Sequence, residues 1–165
     1  MTAPLTVSRV FKAPVALVWA VYTDPAHQAN WLSPGNPAGY QSRMDFRVGD
    51  THFYGMPGPD GSTMYGLQTF REIVPLQRVV LVQSFADQNG TSAPHPMAPT
   101  WPLRMLSTND YANLGDGTTR LSVTWVPLDA TEAETATFEG ARSGMQGGWD
   151  HQFDQIASYL ASLPT

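Results

Sequence analysis

From Thr131 to Leu163 the chain carries an apolar stripe that few arrangements can satisfy. With a helix turning by roughly 100° per residue, Phe138, Met145, Trp149, Ile156, Leu160 and Leu163 fall inside one arc of about 60°. Ser143, Asp154, Gln155, Ser158 and Ser162 lie elsewhere on the wheel. Thr131 as N-cap with Glu134 at the third helical position forms a capping box, and Glu132 suits the positive end of the helix dipole. Pro164 stops the helix. A long helix that is apolar along one stripe has to lie across something broad and apolar. In this chain only a sheet offers that.

Two features complicate the stripe. Gly140, Gly144, Gly147 and Gly148 each cost roughly 1 kcal/mol relative to Ala in a helix interior. They imply close packing of a neighbouring segment, a kink or break before Trp149, or an N-terminal half that moves to admit a ligand. Arg142 projects beside Phe138, Met145 and Trp149. It either snorkels at the edge of the stripe or reaches into a cavity to hold an anion.

Upstream, Leu5, Val7 and Phe11 alternate with Thr6, Ser8 and Lys12 as a half-buried strand, although Arg9 falls on the apolar side. Pro14 opens a helix with Leu17, Val18, Val21 and Tyr22 on one face, and Asp24-Pro25 caps and starts a second short helix to about Leu32. From Gly39 the period becomes two. Strands are expected over Tyr40–Val48, Thr51–Met56, Thr63–Val74, Arg78–Phe85, Trp101–Asn109 and Thr118–Val126, separated by Gly- and Pro-rich turns. Asp87–Thr100 has no period and reads as a lid or a mobile loop. Short connections make the strands antiparallel. The expected architecture is one α+β domain over residues 1–165. A curved antiparallel sheet of about six to seven strands wraps a long C-terminal helix, with two short helices after the first strand, the helix-grip arrangement.

Composition excludes several functions. A formal charge of −5 without a basic run argues against nucleic acid. The absence of cysteine removes thiol catalysis, disulfides and thiolate metal sites, and fits the cytoplasm. The apolar run Pro14–Tyr22 is too short to span a bilayer and contains a Trp, so it reads as a buried helix rather than a leader. His27, His52, His95 and His151 have no metal-ligand spacing, no nucleophile elbow or phosphate loop is present, and no cofactor is expected. No catalytic residue stands out.

The residues do resemble a family. Arg9-Val10-Phe11-Lys12-Ala13-Pro14 with Val18-Trp19-Ala20 is similar to its opening strand, Ala-Pro corner and first helix. Asp24-Pro25 through Trp31 resembles its second helix. Phe70-Arg71-Glu72-Ile73-Val74-Pro75 with Arg78-Val79-Val80 resembles its central hairpin. Gly117-Thr118-Thr119-Arg120-Leu121 and Gly148-Trp149 with Phe153, Ile156, Tyr159 and Leu160 resemble its last turn and closing helix. Together these are similar to the activator of Hsp90 ATPase homologue 1-like family of the START/Bet v 1 helix-grip superfamily, essentially end to end. The chain departs from the pattern at Gly49-Asp50, where paired glycines are usual, and in a longer loop around Pro94–Pro99.

The resemblance implies a cavity between sheet and helix. Its expected lining is Trp31, Met44, Phe46, Phe53, Tyr65, Phe70, Phe85, Leu103, Met105, Phe138, Met145, Trp149 and Phe153. Arg142, Arg104, Gln152 and the tyrosines are candidates to orient a polar ligand end. Three functions compete: binding of a hydrophobic or amphipathic small molecule, a polyketide-cyclase-like enzyme using a Tyr, His or Arg in the cavity, and a chaperone-interacting module. Binding ranks ahead of catalysis, and a chaperone partner, implied only by the family name, ranks last. Exposed strand edges permit a homodimer without requiring one.

Overall fold

The computed structural model describes residues 2–164. Strand β1 (Leu5–Phe11) is followed by helices α1 (Val15–Thr23) and α2 (Pro25–Leu32) and a single 3-10 turn at Pro37–Gly39. Six strands follow: β2 (Gln41–Met44), β3 (Thr51–Pro57), β4 (Thr63–Val74), β5 (Arg78–Ala86), β6 (Met105–Asn113) and β7 (Thr119–Pro127). Helices α3 (Glu132–Gly140) and α4 (Arg142–Ser162) close the chain. The strands form one seven-stranded sheet in the order β1-β7-β6-β5-β4-β3-β2, antiparallel throughout. A bulge at Arg71 in β4 shifts the register against β5 and helps bend the sheet.

Local chemistry explains the helix starts. The Asp24 carboxylate accepts the Ala26 N–H at 2.9 Å with Pro25 at the first helical position. Thr131 and Glu134 complete the capping box, with bonds of 2.9 and 3.1 Å. Helix α4 packs on β1 and α2, driving Trp149, Phe153 and Ile156 into a core with Leu5, Val7, Phe11, Leu121 and Val123. Arg9 shares that inner face opposite Leu121. Its guanidinium lies over the Phe153 ring and reaches the Asp154 carboxylate at 2.9 Å, which accounts for a cation on the apolar side of β1.

Three expectations need correction. The stretch from Thr131 is two helices, not one. The break falls at Ala141, whose N–H is shared by the Thr137 and Phe138 carbonyls as α3 ends. The strand expected to reach Val48 ends at Met44, because the Arg47 guanidinium gathers the Asp45 and Asp50 carboxylates into a tight turn. The strand expected over Trp101–Asn109 is displaced to Met105–Asn113. Glu134 holds the Leu103 N–H at 3.0 Å, and the Thr100 and Thr137 hydroxyls meet at 2.8 Å, keeping that loop on α3 and off the sheet.

No helix among the described residues is long and apolar enough to cross a membrane. The glycines of the last helices are not packing contacts either. A Cβ built at Gly140, Gly144, Gly147 or Gly148 meets nothing within 4 Å, and all four are exposed. Replacing Gly147 with Ala should therefore raise the unfolding free energy by about 0.5–1 kcal/mol in a urea titration, since only the helix penalty is removed. By contrast, Phe153→Ala, at a fully buried position, should lower it by about 3–5 kcal/mol.

Candidate functional site

Helix α4 covers the β1–β7 side of the sheet. Over β3 to β6 the inner face instead meets α1, α2 and the loop before β6, and a cavity of about 270 Å³ remains there. Strand parity decides which side chains reach it. On β3 the register pairs His52 with Gln68 and Tyr54 with Gly66, so His52, Tyr54 and Met56 point inward and Phe53 points out. The same alternation brings in Phe70 from β4 and Leu81, Gln83 and Phe85 from β5. Met105, Ser107, Asn109 and Tyr111 come from β6, and Trp125 from β7. Tyr22, Gln28 and Trp31 roof it from α1 and α2, with Trp101 from the loop and Trp149 and Gln152 from α4.

Of the residues expected from sequence, Trp31, Met44, Phe46, Phe70, Phe85, Met105, Trp149 and Gln152 border this cavity. The others lie elsewhere. Phe53 and Tyr65 stack on each other on the outer face, ring centroids 5.6 Å apart. Leu103 is exposed on its loop. Phe138 is buried against Trp101, Phe153 is buried against Phe11, and Met145 packs on the same core. Arg142 stays at the surface: it pairs with Glu139 at 2.9 Å and donates to the Ala3 and Pro4 carbonyls, its guanidinium over the Phe138 ring. Arg104 likewise pairs outside with Asp129 at 2.9 Å.

Sequence reasoning named the tyrosines, Tyr54 among them, but missed the rest of the polar floor. Among the described residues the lining contains no Asp, Glu, Lys or Arg, yet it holds a connected row of neutral polar groups. Ser42 Oγ lies 2.9 Å from His52 Nε2, and His52 Nδ1 lies 3.0 Å from Gln68 Oε1. Gln68 Nε2 donates to Gln83 Oε1 at 2.8 Å, and Gln83 Nε2 donates to the Tyr54 hydroxyl at 2.9 Å. A second row runs from Trp125 Nε1–H to Ser107 Oγ at 3.1 Å and from the Ser107 hydroxyl to Asn109 Oδ1 at 3.2 Å. Tyr40 braces the roof by donating to Gln28 Oε1 at 3.1 Å. The available signal was positional: His52, Tyr54 and Met56 share one parity, as do Ser107, Asn109 and Tyr111.

Burial sets the electrostatics. His52 is 1% exposed, and desolvation lowers its pKa, partly opposed by the bond to Gln68, so it is neutral at physiological pH. Burial pushes the Tyr54 and Tyr111 hydroxyls up, keeping both protonated. Gly66 makes the floor possible. A Cβ there would lie 2.3 Å from the Tyr54 ring, so only glycine lets that ring lie across β4. Among the described residues no three His, Asp or Glu side chains gather as a metal site.

A seven-stranded sheet gripped by a long C-terminal helix, with a cavity under its uncovered half, defines a helix-grip α+β protein. The chain belongs to the family described as activator of Hsp90 ATPase homolog 1-like protein, which it matches over residues 12–161. A search of curated proteins returns no match. Solved structures of similar fold include a Mycobacterium smegmatis protein, 22% identical over 99% of this chain and 94% of that one, with a TM-score of 0.74. An Arthrobacter aurescens protein is 25% identical over 98% of this chain and 88% of that one, at 0.77. One from Rhodobacter sphaeroides is 20% identical over 98% and 93%, at 0.72.

The buried histidine has a pH consequence. Its folded pKa lies below its unfolded value, so on acidification the unfolded chain takes up the proton first and stability falls below that unfolded value. Between about pH 7.5 and pH 5.5, urea titrations should show wild-type protein losing more stability than His52→Gln, which lacks the titrating group.

Proposed function

We propose that this protein binds a hydrophobic or amphipathic small molecule in the cavity between the sheet and the helices. The observation that carries this reading is the lining itself: aromatic and methionine side chains with a few neutral polar groups, and no charge among the described residues. Such walls favour an apolar guest, and Met44, Met56 and Met105 give them room to adapt. The family match and the helix-grip fold agree with a cavity used in this way. The cysteine-free sequence is the ground on which we place the protein in the cytoplasm.

Catalysis is the second reading, and one observation favours it. The cavity holds titratable groups, His52 and Tyr54, joined through two amides. A polyketide-cyclase-like reaction would draw on those groups. Nothing in the site speaks for a chaperone partner.

Native mass spectrometry of freshly purified protein, followed by denaturation, should release a small apolar or aromatic compound. A hydrophobic ligand added at about a hundredfold over its Kd should stabilise the protein by about 2.7 kcal/mol, a Tm rise of roughly 5–10 °C. A clean apo mass together with no stabilisation from any member of a hydrophobic library would overturn the binding reading.

A further inference from the structure

The polar floor has a direction. Gln68 Oε1 can only accept, so His52 Nδ1 carries the ring proton and donates to it at 3.0 Å. His52 Nε2 is then the acceptor, and the Ser42 hydroxyl donates to it. Gln68 donates onward to Gln83, and Gln83 to the Tyr54 oxygen. Every bond of the row points the same way, from the exposed edge strand toward Tyr54. The Tyr54 oxygen is occupied as an acceptor, and its own O–H proton has no acceptor among the described residues.

The second row has the same sense. Trp125 donates to Ser107 and Ser107 to Asn109 Oδ1, which leaves the Asn109 Nδ2 hydrogens unused at a position 3% exposed. The Tyr111 hydroxyl, also buried, has no partner among the described residues. Two separate rows therefore end in unspent donors on the cavity face. The Gln152 amide, which has no partner among the described residues, offers the cavity a donor and an acceptor alike and does not alter that bias.

Charge and size narrow the guest further. A carboxylate, phosphate or ammonium would enter without a counter-charge among the described lining residues, at heavy desolvation cost. The 270 Å³ volume sits below the usual range of about 300–1,000 Å³ for small-molecule sites. One or two fused rings fill it; a sterol does not. A guest phenol would bring its own donor to a wall already rich in donors, whereas a carbonyl oxygen only accepts.

We propose that the cavity selects a small uncharged aromatic ketone, aldehyde or quinone whose carbonyl oxygen accepts a hydrogen bond from Tyr54, with the Ser42–His52–Gln68–Gln83 row holding that hydroxyl in its donating sense. This rests on the cavity-binding reading above and adds the chemical class of the guest. No covalent step is involved.

The test uses matched probes on the full chain: 1-tetralone, its hydrocarbon parent tetralin, and 1-naphthoate. Calorimetric titration should show Tyr54→Phe weakening 1-tetralone by about tenfold while changing tetralin by less than about twofold, since only the hydroxyl is removed. The 1-tetralone carbonyl stretch in infrared difference spectra should move to lower frequency on binding wild-type protein, and should move less in Tyr54→Phe. Should that variant fail to fold, the frequency shift on wild-type protein decides alone. If Tyr54→Phe weakens 1-tetralone and tetralin equally, or the carbonyl stretch does not move, the carbonyl assignment is overturned while cavity binding stands. Preference for 1-naphthoate overturns the uncharged class. Binding of none of the three overturns the guest class proposed here, while cavity binding itself is decided by the native mass and the hydrophobic library.

Discussion

Phe153 packs edge-on against Phe11, ring centroids 5.9 Å apart, and that contact fixes where the C-terminal helix can lie. Both rings are essentially inaccessible to solvent, and Trp149 and Ile156 follow them into the same core. With α4 pinned over β1 and β7, the rest of the inner face needs other cover. Helices α1 and α2 supply part of it. They lie between β1 and β2, the two opposite edges of the sheet, so the chain has to cross the sheet's width there. Trp19 of α1 meets Phe46 and Tyr111, and Tyr22 stacks on Trp31. What these short helices leave uncovered is the cavity.

The loop from Asp87 to Arg104 then closes one end. It is tied at several points rather than loose: Ser92 to Ser84, His95 against the Phe85 ring, Thr100 to Thr137 and Leu103 to Glu134. Glu134 has a double role, since one carboxylate oxygen completes the capping box of α3 and the other holds the loop. The start of α3 and the cavity's end wall are thus one unit. The break at Ala141 separates that unit from α4, whose position is set by the core.

Much of this was legible in the sequence because it follows from rules that act within a few residues. The Asp24-Pro25 start, the Thr131–Glu134 box and the C-terminal stripe each need only local spacing. The misread boundaries have non-local causes. Nothing near Leu103 announces that Glu134 will hold its N–H, and alternation alone does not show where Asp45–Asp50 leaves the sheet. The candidate lining split for a related reason. An apolar-inward rule selects Phe53 and Tyr65, but pairing places them on the outer face, and their partners across the pleat, Tyr54 and Gly66, face the cavity. Helical phase placed Phe138 inward and the expected lining included Phe153, and inward at both means closed core. Polar residues on the inner face were invisible to any rule that equates burial with hydrophobicity.

Those polar residues are the strongest physical argument that the inner face is more than a core. Leucine or methionine at positions 68 and 83 would fill similar volume with no polar group to satisfy. A fully buried amide left unpaired would cost about 1–3 kcal/mol and these half-buried ones somewhat less, while a paired one returns only about 0.5–1.5 kcal/mol net. The row therefore contributes little to stability, yet it is satisfied bond by bond until the last hydroxyl. Gly66 adds a second cost, because the sheet forgoes a side chain at a buried inner position so that the Tyr54 ring can lie over it. Both sacrifices converge on one atom. A packing requirement gives no reason to place an unspent O–H donor beside an apolar space; the proposed guest, which brings the missing acceptor, would.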